Sequence, residues 1–164
     1  MTLPNRRNIN IAGFLCCAGL MGFALFAQHV LLLDPCPLCV LQRVAVIGLG
    51  IVFLIAALHD PSGWGRRAYA ASLAVIAAAG AGVAGWHFRL QNLSHDEVPA
   101  CGPGLDYMLE NFPLGDAMKM VFKGSGECAE VAWQVLGISM PGWVFIAIAG
   151  VGIAGVWNNL RKLP

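Results

Sequence analysis

Cys36 and Cys39, in the stretch "LLLDPCPLCVLQR", have the two-residue separation that serves disulfide exchange, zinc binding or simple cross-linking. Arg43 follows four residues after Cys39, on the same face of any helix that begins there, inside an otherwise apolar run. Two further cysteines, Cys101 and Cys128, lie far along the chain in an acidic segment. In disulfide exchange the thiolate is the nucleophile, and helix N-termini and nearby cations favour it. Pro35 and Pro37 break the incoming chain, so a helix starting near Leu38 or Cys39 would place Cys39 at the positive end of its macrodipole. Arginine stays charged under all ordinary conditions, so a thiolate or another anion is a natural partner for Arg43. The plainer alternative is an arginine that snorkels to the membrane surface.

Other cysteine chemistries fit less well. Four cysteines could surround zinc, but Cys101 and Cys128 lack the second close pair usual in such sites, and no metal site is expected. A c-type haem needs a histidine directly after the second cysteine, and Val40 stands there. A static bridge between Cys36 and Cys39 would close so short a loop that it removes little unfolded-chain entropy. The spacing therefore suits a bond that opens and closes. A scaffold stiffened by static loop disulfides, as in tetraspanin-like proteins, is the non-enzymatic alternative. Cys16 and Cys17 lie within an apolar run and read as inert.

The elements that must position these residues are membrane helices. The 164-residue chain is 58% hydrophobic and 12% charged, half the charged fraction of about 25% in soluble domains. A net charge of +1 gives no basic face for nucleic acid. Four apolar runs, about 11–33, 39–58, 68–88 and 141–157, approach the roughly 20 residues that a bilayer crossing takes. The first exceeds the apolar core of a signal peptide and lacks a small-residue cleavage site, so an uncleaved helix is expected. Arg6, Arg7, Arg66, Arg67, Arg161 and Lys162 all fall on one side of four crossings, which assigns both termini to the cytoplasm. The long connection, about 89–140, then faces outward with seven acidic residues between Asp96 and Glu130. Cys36, Cys39, Cys101 and Cys128 share that outer side, as an oxidising compartment would produce. Two disulfides are possible, with three connectivities.

The expected fold is an all-α membrane protein: a single domain over 1–164, a four-transmembrane-helix bundle with a long outward-facing loop. Leu114, Met118, Val121 and Phe122 recur at helical spacing within that loop. They suit either a short helix lying on the membrane surface or one packed on the rest of the loop. Small residues in "AAAGAGVAG" and "AIAGVGIAG" read as helix-packing faces, with a cofactor groove as the weaker reading.

The segments "QHVLLLDPCPLCVLQR", "WHFRLQ", "GSGECAE" and "ISMPGW", spread over nearly the whole chain, resemble the DsbB-type disulfide-generating quinone reductases of bacterial inner membranes. The resemblance implies a protein-disulfide:quinone oxidoreductase with two electron-carrying disulfides and a bound ubiquinone or menaquinone. It implies that the long loop is periplasmic, and that Cys101 and Cys128 form the loop disulfide offered to a reduced, DsbA-like thioredoxin-fold thiol oxidase of the periplasm. Cys128, once released, would attack Cys36, and Cys39 would act on the membrane quinone. Arg43, His87 and Met140 match positions at the quinone pocket of that family, with Pro141 beside Met140. Gln28 and His29 match without a role. Gln42 and Trp86 depart from it, standing where acidic residues occur in a well-known member. The "CGPGLDY" that begins at Cys101 is rich in glycine and proline. The rival readings are a paralogue with a dedicated substrate, a vitamin K epoxide reductase-like enzyme, and the static scaffold.

Overall fold

In a computed structural model the described residues are 5–93, 105–123, 126–129, 131 and 133–161. Four long helices dominate them: α1 (Arg6–His29), α2 (Pro37–His59), α3 (Trp64–Leu90) and, after the loop, α7 (Met140–Leu160). All four are long and apolar enough to cross a membrane. Within hydrocarbon a helix is favoured because it satisfies every main-chain N–H and C=O internally. Large apolar side chains such as Leu15, Ile51, Val75 and Ile153 are exposed on the bundle's outside. That arrangement suits a lipid solvent. The chain is an all-α, multi-pass membrane protein.

Helix α3 packs along α7 and α2, and α1 along α2. Phe53, Leu49, Leu73 and Ile148 form the central cluster with Cys17. Glycines let the backbones close on it. A Cβ at Gly155 would lie 2.5 Å from Phe53 Cζ, and one at Gly13 would lie 2.7 Å from the same ring. The small-residue stretches of α3 and α7 thus serve close helix approach, as expected where lipid offers no hydrophobic drive to association. Near the N-terminus of α1 and the C-terminus of α7, buried amides replace apolar contact. Asn158 Nδ2 donates to Arg6 O and to Asn10 Oδ1, each at 3.0 Å, and Asn159 Nδ2 donates to the same Asn10 oxygen at 3.1 Å.

Two boundaries differ from the hydropathy pattern. Helix α1 ends at His29 rather than near Leu33, because the chain turns at Leu32, whose φ is +53°. Leu33, Asp34 and Pro35 are left to border a cavity. Helix α2 begins at Pro37, one or two residues earlier than the prolines suggested. Proline at the first helical position has its φ already set and lacks only an N–H that would be unpaired anyway.

The connection between α3 and α7 contributes α4 (Leu105–Asn111), α5 (Leu114–Lys123), α6 (Gly126–Ala129) and a hairpin of β1 (Gln134–Val135) and β2 (Ile138–Ser139). The hairpin pairs Gln134 with Ser139 and Val135 with Ile138. Its two turn residues, Leu136 and Gly137, both have positive φ, the geometry of a type I′ connection. Met108, Ala117, Val121 and Cys128 pack on Leu38 and Leu90, at the N-terminus of α2 and the C-terminus of α3. The stripe read on α5 therefore divides: Val121 is buried in this cluster, whereas Leu114 and Phe122 are exposed.

Candidate redox site

The site begins at the first turn of α2. Cys36 is its N-cap, and the Cys36 sulfur accepts the Cys39 backbone N–H at 3.4 Å. That bond satisfies one of the donors a helix start leaves unpaired and brings the two sulfurs to 2.9 Å. A cysteine here takes the place of the usual serine or aspartate cap.

His87, near the C-terminus of α3, is only 2% exposed. Its Nε2 lies 3.1 Å from the Cys128 carbonyl oxygen and 3.7 Å from Cys36 Sγ, and its Nδ1 lies 3.0 Å from the Gln42 amide nitrogen. A carbonyl oxygen only accepts, so Nε2 carries the proton. Nδ1 is then the acceptor for the Gln42 N–H, which defines one neutral tautomer. The sulfurs of Cys36 and Cys128 and a His87 ring nitrogen all lie within 4.8 Å of one another. Thiols and imidazole are ligands that zinc accepts, but both His87 nitrogens are engaged in hydrogen bonds within the protein.

Behind Cys39 opens a largely apolar cavity of about 340 Å³, at the lower end of the range for small-molecule sites. Cys39, Arg43, His87, Met140 and Trp143 border it. Phe23 and Trp133, ring centroids 6.1 Å apart, close its side between α1 and the loop. Arg43 reaches across to α1, where one guanidinium nitrogen donates to Gln28 Oε1 and another to Ala24 O at 3.1 Å. Both acceptors are neutral. Among the described residues the one ion pair is Lys119 with Asp116, on the surface, so the Arg43 charge is held in place without being neutralised.

A family model described as Disulfide bond formation protein DsbB matches residues 6–158. The chain belongs to the DsbB family. Similar proteins include a "Disulfide bond formation protein B" of Nitrosococcus oceani, 50% identical over 149 residues, covering 91% of this chain and 88% of that one. Another, of Saccharophagus degradans, is 48% identical over 160 residues, covering 98% and 96%. A third, of Methylococcus capsulatus, is 48% identical over 164 residues, covering 98% and 100%.

In this DsbB-family chain the structure brings Cys36, Cys39, His87 and Cys128 into one cluster and places Arg43 and Met140 on the adjoining cavity. Cys101 lies outside the described residues. Sequence reasoning gave no part to Gln28, Gln42 or Trp133. For the two glutamines a signal existed. A lone amide in an apolar run needs a buried partner, since leaving it unpaired costs several kcal/mol in a medium without hydrogen bonds. Nothing about Trp133 marked it out.

Proposed function

We propose that this membrane oxidoreductase generates disulfide bonds by oxidising a reduced periplasmic dithiol partner of the DsbA-like thioredoxin fold. The electrons then pass through two cysteine pairs to a membrane quinone. The observation that carries the reading is the position of Cys36. It lies between Cys39, at 2.9 Å, and the Cys128 sulfur, within 4.8 Å, at the mouth of an apolar cavity that holds a fixed cation.

The partner's thiolate would open the loop disulfide of Cys101 and Cys128 by attacking Cys101, releasing Cys128 as a thiolate. Cys128 then attacks Cys36 Sγ. The Cys128–Cys36 bond forms, the Cys36–Cys39 bond breaks, and the electron pair leaves on Cys39. Each exchange proceeds through a mixed disulfide and conserves the total oxidation level of chain and partner until an acceptor removes two electrons. A bound quinone, ubiquinone or menaquinone, supplies that two-electron acceptor. The residues present fit it: the walls are largely apolar, the volume admits a planar ring, and Arg43 offers a cation whose hydrogen-bond partners among the described residues are neutral. Arg43 stabilises the Cys39 thiolate and negative charge on the acceptor oxygen, and Met140 and Trp143 exclude water from the pocket. This reading places the protein in the bacterial inner membrane with both termini cytoplasmic and the cysteines periplasmic.

Purified protein supplied with quinone should reoxidise the reduced partner, and Cys39→Ser should abolish quinone reduction. Wild-type turnover by Cys39→Ser would make the assigned electron route wrong.

A further inference from the structure

Near the outer end of α3, two consecutive side chains each donate an N–H to a main-chain carbonyl of the loop. Trp86 Nε1 donates to Phe122 O at 2.8 Å, near the end of α5. His87 Nε2 donates to Cys128 O at 3.1 Å, in α6. The two contacts bracket the chain from Phe122 to Cys128. The His87 contact leans on a third residue, because Gln42 of α2, 4% exposed, pairs its amide nitrogen with Nδ1 at 3.0 Å and braces the ring with Nε2–H aimed at that carbonyl. The Cys128 side chain, 1% exposed, is thereby seated within 4.8 Å of Cys36 Sγ.

From this geometry we infer that Trp86, His87 and Gln42 form a docking clamp for the Cys128 segment, a positioning device for exchange between the two cysteine pairs. The inference rests on the proposed function, in which Cys128 attacks Cys36. When the partner takes Cys101, the covalent tie between Cys101 and Cys128 is lost at the moment Cys128 must strike Cys36. A clamp on the main chain keeps the released thiolate in place, so that its attack remains intramolecular with a high effective concentration. In the step it serves, the Cys128–Cys36 bond forms, the Cys36–Cys39 bond breaks and Cys39 takes the electron pair. The clamp residues exchange no electrons.

The test uses the full chain carrying Cys16→Ala, Cys17→Ala, Cys39→Ser and Cys101→Ser, which leaves Cys36 and Cys128 as its only cysteines. Equilibration in glutathione redox buffers, read as the fraction bridged, yields the effective concentration of one thiol at the other. Removing a hydrogen bond of this kind is worth about a two- to tenfold change. Trp86→Phe keeps an aromatic ring and removes the N–H, and should lower the effective concentration about threefold. His87→Ala should lower it about tenfold or more, because it leaves a buried carbonyl unpaired. His87→Gln, which returns an N–H near the Nε2 position, should restore most of the loss. Gln42→Ala should fall between the two.

Values within twofold of the background for both Trp86→Phe and His87→Ala would overturn the clamp. Equal losses in His87→Ala and His87→Gln would overturn it as well, since the effect would then belong to imidazole packing. No quinone enters this measurement. Failure of the parent chain to reduce quinone would therefore refute the proposed function and leave the result on the clamp standing or falling by itself.

Discussion

Arg43 is the residue whose removal should separate chemistry from binding most sharply. Its guanidinium is a charge bordering the cavity, held by two neutral acceptors on α1 and in no ion pair among the described residues, with Asp34 the one carboxylate that borders the same cavity. If it acts on negative charge that develops at the acceptor and at Cys39, Arg43→Ala removes one preorganised charged donor. Such a loss costs about 10²–10³ in kcat, or roughly 2.7–4 kcal/mol. Gln28→Ala removes one tether and leaves the charge, so the loss is that of one ordinary hydrogen bond, about 1 kcal/mol or about fivefold. Arg43→Lys keeps the charge but cannot present a fork to Gln28 and Ala24 together, and should fall between the two. The assay is steady-state quinone reduction with kcat and KM measured separately, beside a single-turnover measurement of partner oxidation. The ordering Arg43→Ala, Arg43→Lys, Gln28→Ala from worst to mildest is expected in kcat, with partner oxidation in the first turnover less affected. An unchanged kcat and KM in Arg43→Ala would refute the argument and make Arg43 a snorkelling anchor. A Gln28→Ala loss as large as that of Arg43→Ala would refute it differently, by assigning the effect to helix positioning.

Three further outcomes follow from the geometry. Cys36→Ser, which leaves Cys39 without its disulfide partner, should develop a visible absorption band when quinone is added, and a featureless spectrum would count against a thiolate beside the pocket. Gly155→Ala should destabilise the protein by about 1–3 kcal/mol through overpacking, because its Cβ would stand 2.5 Å from Phe53 Cζ. Gly150→Ala, where a Cβ would meet nothing within 4 Å, should leave thermal unfolding in detergent unchanged and serves as its control. Asn10→Ala deprives the Asn158 and Asn159 amides of a shared acceptor and should lower unfolding stability by about 1–3 kcal/mol; an unaltered unfolding temperature would show that the amides find other partners.

The four crossings were legible because hydrocarbon imposes a requirement that composition alone records, about 20 apolar residues in helical form. The cysteine pair and the arginine one turn later were legible for a similarly local reason, since helical periodicity relates residues four apart whatever surrounds them. Where α1 stops was not legible. Leu33 is as apolar beside a cavity as beside lipid, and hydropathy has no means to tell the two apart. The stripe on α5 divides between buried Val121 and exposed Leu114, and that division depends on what the loop folds against.

The chemistry of the site divides along the same line. Residue types and short spacings by themselves determined a membrane protein, a cysteine pair at a helix start and a cation on the same face. Only the tertiary structure decided that His87 lies between Cys36 and Cys128, that Gln42 braces its ring, and that Gln28 holds Arg43 against α1. Those partners are 15 to 51 residues apart, on helices whose rotation and depth are set by packing at glycines such as Gly13 and Gly155. A local pattern specifies which face of a helix is apolar. Which polar atom on that face meets which atom across the bundle depends on how closely two backbones approach, and only the folded packing sets that distance.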